Sequence, residues 1–222
     1  MKPLLGCGIA AAVLLVVVIG LVVWGVGYSN QFVAADQDVK EKWAQVQNVY
    51  QRRADLIPNL VETVKGFATQ ERTVLEGVTR ARAAATGIQA TPELINDPVA
   101  FKKFRQAQAE LGSQLGRLLA VVENYPNLKS DQNFLALQSQ LEGTENRIAI
   151  SRRDYNEAVR DFNTTLRTFP QIIFAKTMYA SSKPMILFAA TEQSQTAPSV
   201  SFDQPAPPSP AALPPSTAPA TK

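Results

Sequence analysis

Histidine is missing from this chain of 222 residues, and cysteine occurs once, at Cys7. Without histidine there is no Ser-His-Asp or Cys-His catalysis and no Glu-x-x-His di-iron site. A single cysteine excludes an intramolecular disulfide and a multi-cysteine zinc site. No G-x-x-x-x-G-K-[ST] phosphate loop occurs. We therefore predict no catalytic residue, no metal ligand, no cofactor and no small-molecule substrate, and we expect the chain not to be an enzyme.

Strong charge of either sign is also missing. The formal net charge is +3, from 22 Lys and Arg against 19 Asp and Glu. No basic stripe with interleaved aromatic residues occurs, which is what a nucleic-acid surface requires. We expect no nucleic-acid partner.

Charged residues are absent between Lys2 and Asp36, where the sequence is almost wholly apolar. About 20 apolar residues cross the ~30 Å hydrocarbon core of a bilayer, so residues 4–27 are long enough to span it. Aromatic residues at the end of this run favour the membrane interface. The sequence predicts a transmembrane anchor over residues 1–28 and the lipid bilayer as a partner. The anchor residues that we single out are Leu4, Leu21, Trp24 and Tyr28.

Two processed forms compete with this anchor. A cleaved signal peptide has a shorter apolar region and a small-residue cleavage site, which are not found here. A lipoprotein signal has its apolar stretch before the cysteine, whereas here the stretch follows Cys7. An uncleaved anchor is the favoured interpretation. The Lys and Arg residues that set orientation barely differ between the two flanks, so the side of the membrane stays open.

Beyond the anchor, apolar residues recur at spacings of three and four, as in amphipathic helices that pack on other helices. The pattern predicts one long arm over residues 28–85, kinked or restarted at Pro58, because proline in a helix interior costs roughly 3 kcal/mol. Asp97-Pro98 predicts an N-cap followed by proline at the first helical position, with a helix reaching Val122.

Ser130-Asp131 predicts the cap of a longer helix that ends at Phe169-Pro170, with a polar middle near Thr144 and Glu145. Gly112 and Gly116 lie inside the preceding helix, and we interpret them as a site of close helix approach. Residues 185–188 are apolar but too short to span a membrane. We expect them to dock on the end of the bundle.

Three blocks of sequence resemble the LemA family of bacterial membrane proteins. They are RRADLIPNLVETVKGF at 52–67, VENYPNLK at 122–129, and Asn133-Phe134 through LEGTENRI at 141–148 and RRDYN at 152–156. Their order and spacing fit the family over about residues 1–202. The resemblance implies an N-terminal membrane helix, an antiparallel bundle of long helices and no catalytic residue.

The predicted fold is therefore all-α, with an N-terminal transmembrane helix leading into an antiparallel bundle of long helices. We assign the bundle to residues 29–190 and an extended docking segment, which carries Val200 and Phe202, to 191–202. The Pro/Ala/Ser/Thr-rich tail at 203–222 cannot bury a core and is predicted to be disordered. The expected location is the bacterial plasma membrane, crossed once.

Two charged clusters are the remaining candidate sites. They are predicted either to meet between helices and set their register or to form solvated pairs along single helix faces. The first cluster comprises Arg52, Arg53, Asp55, Glu62 and Lys65, and the second comprises Glu142, Glu145, Arg147, Arg152, Arg153 and Asp154.

These features favour a non-enzymatic, membrane-anchored helical scaffold that self-associates or holds an unidentified protein partner at the membrane. Gly8 and Ala12 have the small-xxx-small spacing of self-associating membrane helices. The alternative is an adaptor or sensor whose Pro-rich tail or charged helix face binds a partner, because short proline segments can dock in aromatic grooves.

Overall fold

The computed structural model describes residues 2–68, 70–180 and 182–188, without the side chains of residues 2–11 and Phe174. No strand occurs in these ranges, so the all-α prediction is confirmed. The helices are α1 (Lys2–Phe67), α2 (Arg72–Gly87), α3 (Pro98–Val122), α4 (Pro126–Lys129), α5 (Gln132–Thr165) and α6 (Gln171–Thr177), with a 3-10 helix at Pro92–Asn96. The predicted docking segment 191–202 and tail 203–222 lie outside the described residues.

One helix, α1, contains the predicted anchor and continues into the bundle without a break. Its N-terminal half exposes apolar side chains on every face from Val13 to Val26, and Leu21 is 60 % exposed. Among the described residues, α1 is the one helix that is long and apolar enough to cross a membrane. Leu4 belongs to the same helix, but its side chain is not among those that the structure describes. The membrane-anchor prediction is supported by this exposure.

The single arm predicted over residues 28–85 is wrong, because the chain reverses between α1 and α2. Arg82 on α2 donates from Nε to the carbonyl oxygen of Ala54 at 2.7 Å, which brings the two helices side by side in opposite directions. A restart at Pro58 is also wrong, because α1 remains helical to Phe67. A kink in the axis at Pro58 stays a prediction.

Four helices form an antiparallel bundle in which α1 packs against both α5 and α2, and α2 packs against α3. Phe32 and Arg53 of α1 face Phe162 and Glu145 of α5, so the numbering of the two helices runs in opposite directions. The bundle therefore alternates in direction from helix to helix, as the family resemblance implies.

The core divides into two clusters along the bundle axis. The cluster nearer the anchor is aromatic and surrounds Trp43, which is 1 % exposed. The distal cluster is aliphatic and gathers residues of α1, α2, α3, α4 and α5 around Leu60. Each buried apolar side chain contributes about 1.5–3 kcal/mol relative to exposure, so both ends of the bundle have cores of their own.

The start of α3 is confirmed as predicted, because the Asp97 carboxylate accepts hydrogen bonds from the amides of Val99 and Ala100. The start of α5 is confirmed in the same way, since Asp131 accepts from the amide of Phe134. Its predicted end is wrong: α5 stops at Thr165, and Phe169 is 78 % exposed rather than part of the buried face.

The segment 182–188 is extended and docks on the bundle as expected, but it lies along α5 rather than on the end of the bundle. Asn163 accepts from the amide of Met185 and donates to its carbonyl oxygen, at 2.9 Å each. Asn156 clamps Phe188 in the same way, at 2.8 and 3.0 Å. The hydroxyl of Tyr155 donates to the carbonyl oxygen of Ile186 at 2.8 Å. Side chains of α5 thus satisfy backbone groups of an extended segment that belongs to no sheet.

The predicted close helix approach at Gly112 and Gly116 is wrong. A Cβ atom added at either glycine would meet no heavy atom within 4 Å among the described residues. A Cβ at Gly77 would instead lie 2.9 Å from the side-chain oxygen of Gln114. The two α3 glycines therefore border open space. The glycine at which α2 and α3 approach closely is Gly77, on α2.

Replacing Asn156 tests the clamp on the docked segment. We expect Asn156→Ala to lower the free energy of unfolding by roughly 1–3 kcal/mol, because the Phe188 amide and carbonyl lose their partners. Asn146→Ala is the matched control, since Asn146 is an exposed residue of the same helix. It should change stability by less than about 0.5 kcal/mol. Urea unfolding of both variants measures the difference, and equal effects would contradict the clamp.

Candidate functional site

A buried arginine lies at the centre of the bundle. Arg53 is only 4 % exposed, although its neighbours on the outer face of α1 are solvated. It shares the inward face with Tyr50 and Ile57, which are three and four residues away and therefore on the same side of the helix. The guanidinium carbon lies 5.1 Å from the centre of the Tyr50 ring.

The guanidinium of Arg53 joins three helices. Its Nη1 donates to Oε1 of Glu145 on α5 at 2.9 Å. Its Nη2 donates to the backbone carbonyl of Gln108 on α3 at 3.2 Å, and to the side-chain oxygen of the same residue. Nε is buried and has no hydrogen-bond partner among the described residues. Arg53 therefore links α1 to both α3 and α5.

The geometry of this network is that of a contact between helices. Arginine stays charged at all accessible pH values and only donates hydrogen bonds. Glu145 is half-exposed, at 50 %, so water screens its pairing with Arg53 and the pair contributes little by itself. The larger constraint is the buried contact with Gln108, since an unpaired buried polar group costs about 1–3 kcal/mol. The geometry supports a role in register.

Two tyrosines near this network have raised pKa values. Burial raises the pKa of Tyr50 above its ordinary value, and nearby Arg152 and Arg53 oppose the increase. Burial alone raises the pKa of Tyr155 well above the ordinary range. Both phenols therefore stay protonated at neutral pH, and Tyr155 keeps the proton that it donates to Ile186.

Most of the other predicted charged residues lie on solvated faces. Asp55 accepts a hydrogen bond from Gln51 at 2.7 Å, Glu62 lies 3.7 Å from Lys65, and Glu142 accepts from Gln138 at 3.0 Å. These are contacts between residues three or four apart on one helix, worth a few tenths of a kcal/mol each. Arg52 and Arg147 are exposed as well.

Arg152 is half-buried and lies near the end of the docked segment. Its guanidinium carbon is 4.7 Å from the centre of the Phe188 ring, and its buried Nε has no hydrogen-bond partner among the described residues. The predicted set is therefore divided, with Arg53, Glu145 and Arg152 around one cavity and the others at the surface.

Sequence reasoning missed Gln108 and the two clamping asparagines as functional contacts. Gln108 was visible as the one polar residue on the buried face of α3. Asn156 and Asn163 are seven residues apart, which places them on the same face of α5. Because asparagine is a poor helix former, that spacing inside a long helix was the available signal.

The end of the bundle next to the anchor carries a second candidate surface. Trp24 and Tyr28 make an edge-to-face ring contact of 4.8 Å at the end of the apolar half of α1. One residue further along, the Ser29 hydroxyl is 2.8 Å from the Tyr179 hydroxyl. The Tyr179 ring also stacks on Phe32 at 4.3 Å. The chain around α6 is therefore held at the level where the membrane span ends.

Exposed apolar residues concentrate in this region. Phe169 is 78 % exposed, Ile173 49 % and Met178 67 %, and they flank or belong to α6. Exposed Lys176 lies in the last turn of the helix. Large apolar side chains beside a cation are typical of a segment that lies in the membrane interface. No group of three or more His, Cys, Asp or Glu side chains that suits a metal occurs within the described part of the chain.

Comparisons with known proteins agree with this architecture. The profile of the LemA family matches residues 42–202. Magnetosome protein MamQ 2 of Paramagnetospirillum magneticum is 29 % identical over 157 residues, which cover 64 % of this chain and 58 % of that protein. MamQ of Magnetospirillum gryphiswaldense is 27 % identical with the same coverage. Protein LemA of Metamycoplasma hominis is 23 % identical over 144 residues, which cover 65 % of this chain and 62 % of that protein.

The chain thus spans about three fifths of the length of these relatives. Neither the family description nor the names of the relatives states an enzymatic activity. What the comparisons support directly is a membrane-associated helical protein.

Substitutions at Arg53 and Glu145 separate the buried contact from the exposed pair. We expect Arg53→Ala to cost roughly 1–3 kcal/mol, because the oxygens of Gln108 lose their donor. Glu145→Leu should cost less than about 1 kcal/mol, since its side chain is half-exposed. Arg52→Ala, on the solvated face of the same helix, is the control. Thermal unfolding of the three variants checks the order, and a Glu145→Leu loss as large as that of Arg53→Ala would contradict it.

Proposed function

Because this chain belongs to the LemA family, we propose that it is a non-enzymatic, membrane-anchored scaffold that holds protein partners, a second copy of itself included, at the membrane. The bacterial plasma membrane is the proposed location, since the relatives are bacterial proteins and one apolar helix supplies the anchor. The continuity of α1 carries this proposal.

The continuity of α1 makes the anchor and the bundle one mechanical unit. The helix has 66 residues, so it is about 99 Å long at 1.5 Å per residue. The apolar run up to Val26 accounts for the first part, and the remaining 41 residues extend for about 60 Å from it. A partner bound on the bundle would be held at a defined height above the bilayer, whereas a linker would let it move.

The bundle depends on the part of α1 that lies beyond the span. Trp43 belongs to the anchor-side core, and Ile57 and Leu60 belong to the distal core, so both clusters need this helix. The bundle is therefore not a separate domain attached through a loop. This arrangement favours a fixed platform over a tethered binding module.

The surface around α6 supports a second point of membrane contact. Phe169, Ile173 and Met178 are exposed, and Met178 precedes Tyr179, whose hydroxyl lies 2.8 Å from that of Ser29 near the end of the apolar run. Burying such side chains in the headgroup region is favourable at roughly 25 cal/mol per Å² of apolar area. A span and a surface contact together would restrict tilting of the bundle. The proposed scaffold therefore stands at a defined orientation on the membrane.

The magnetosome names belong to the relatives and are not carried over to this chain. The adaptor alternative uses either the Pro-rich tail, which lies outside the described residues, or a charged helix face. Removing residues 203–222 separates the scaffold from the tail-dependent form of the alternative, because a scaffold keeps its partners without the tail.

Photo-crosslinking in native membranes tests the scaffold. Crosslinkers at exposed positions of the bundle, such as Leu135 and Ile150, should capture either a second copy of the chain or a reproducible protein partner. A crosslinker at Val18, within the span, is the control for contacts made in the lipid phase alone. A protein that stays strictly monomeric, with no crosslinked partner from any bundle position, would sink the proposal.

A fluorescent probe tests the membrane contact near α6. In a Cys7→Ser background, an environment-sensitive dye on Met178→Cys should be quenched by lipids that carry a quencher near the headgroup. The same dye on Leu135→Cys is the matched control. Leu135 is 48 % exposed and lies near the start of α5, about 45 Å along that helix from its end at Thr165, which precedes α6. Equal quenching at both positions, or none at Met178→Cys, would refute the contact.

A further inference from the structure

A cavity of about 230 Å³ lies between α1, α3 and α5, beside the buried side chain of Arg53. Its wall includes Tyr50 and Arg53 of α1, Arg105 of α3 and Arg152 of α5. Liquid water occupies about 30 Å³ per molecule, so the cavity has room for a group much larger than one water. Its volume and its polar wall therefore suit a small ligand.

Positive charge prevails in the lining of this cavity. Three arginines line it, whereas Glu145 is the one acidic residue of the lining. Glu145 already accepts from Arg53 and is half-exposed, so water screens much of its charge. A buried charge is costly unless it is paired, and Arg53 is 4 % exposed. The lining therefore favours an anion over a cation or an uncharged group.

The Tyr50 hydroxyl is one donor that such an anion can use. The side chain is 8 % exposed, and no hydrogen bond joins its hydroxyl to another described residue. The charges that act on this hydroxyl are those of the charged lining residues, namely Arg152, Arg53, Glu145 and Arg105. It therefore lies among the charges of the cavity. Because burial raises the pKa of Tyr50, the phenol stays protonated at neutral pH and can donate its hydrogen.

The guanidinium of Arg152 is a second available donor. Its central carbon lies 4.7 Å from the centre of the Phe188 ring, a contact that provides no oxygen acceptor for its N–H groups. No hydrogen bond or ion pair joins these N–H groups to another described residue. Polar groups in the protein interior are normally hydrogen-bonded. Arg152 and Tyr50 thus both lack an acceptor at the same cavity.

The directions of these donors favour a phosphate group over a carboxylate. Tyr50 and Arg53 reach the cavity from α1, whereas Arg152 reaches it from α5. A carboxylate has its oxygens in one plane, but the oxygens of a phosphate group form a tetrahedron and can accept from several sides. Guanidinium groups bind phosphate oxygens through charge-assisted hydrogen bonds, which are stronger than neutral ones. Donors on different helices can therefore share one phosphate group.

The height of the cavity favours a soluble anion over a lipid headgroup. Arg53 lies about 40 Å further along α1 than Val26, where the exposed apolar run ends. The headgroup layer on one side of a bilayer is only about 5–8 Å thick. Even at a tilt of about 20°, which is common for spanning helices, the cavity stays beyond that layer. Its phosphate group therefore comes from solution.

We propose that the cavity between α1, α3 and α5 binds a soluble phosphate group, either inorganic phosphate or a small phosphate monoester, through Arg152 and Tyr50. The bound group joins α1 to α5 through a single tetrahedral acceptor, and Glu145 opposes its binding by charge repulsion. This proposal goes beyond the scaffold function and does not depend on it, because it concerns a ligand within one chain.

Phosphate binding to the full chain in zwitterionic lipid nanodiscs tests this site. Calorimetric titration with inorganic phosphate, at constant ionic strength, should give a Kd that rises roughly tenfold or more in Arg152→Gln, because a charge-assisted hydrogen bond is lost. Arg153→Gln is the matched control and should change the Kd less than about twofold. Arg153 is the next residue of α5, is exposed, pairs with Asp154 at 3.2 Å and does not line the cavity.

Two further variants test the same site without removing a cation. Tyr50→Phe keeps the ring and removes the hydroxyl, so the Kd should rise roughly threefold or more. Glu145→Gln keeps the shape of a half-exposed side chain and removes its negative charge, so the Kd should fall. Thermal unfolding gives a second readout, since phosphate should raise the unfolding temperature of the unsubstituted chain more than that of Arg152→Gln.

The other outcomes each overturn the proposal. Absence of phosphate binding to the unsubstituted chain means that the cavity holds no such ligand. Equal weakening by Arg152→Gln and Arg153→Gln means that phosphate responds to the general charge of α5. Equal affinity for acetate means that the cavity does not select a phosphate group. Loss of phosphate binding in nanodiscs that contain phosphatidylglycerol means that lipid headgroups occupy the cavity instead.

Discussion

The structure depends on one unbroken helix that has to satisfy two solvents. Up to Val26, α1 exposes apolar side chains on all sides, which suits hydrocarbon. From Phe32 onward it buries one face only, and its opposite face is charged or polar, which suits water. Because the backbone hydrogen bonds run through the change, the direction of the bundle follows from the direction of the span.

The other helices are arranged by the need to cover that half-apolar face. α5 and α2 pack on either side of α1, and α3 packs on α2, so three edges of the bundle are closed. The fourth edge is closed near the anchor by the extended segment 182–188 rather than by a helix. An extended segment outside a sheet has unpaired amides and carbonyls, which are costly when buried. Asn156, Asn163 and Tyr155 supply the missing partners.

This requirement explains why α5 has a polar middle. In a helix that packed only on other helices, Glu145, Arg152 and Asn156 would interrupt the buried face. Here they are directed to the α3–α5 edge, where Arg53 and the docked segment need charged and hydrogen-bonding groups. Residues that resemble defects in a heptad pattern are the contacts that distinguish this edge from the other three.

Local physics was enough to predict the membrane span, the capping residues Asp97 and Asp131, and the buried face of α3, because each depends on residues within a few turns of one another. The reversal after Phe67 was not predictable in this way, since no glycine or proline lies between Ala68 and Arg72 and the apolar spacing resumes in α2. Pro58 was the stronger local signal, yet α1 passes through it. The sequence by itself determined an all-α, membrane-anchored bundle, and membership of its family. Tertiary structure alone decided that Arg53 faces Gln108 and Glu145 while Arg52 faces water, because burial depends on which helix arrives opposite each face, and that partner is distant in the chain.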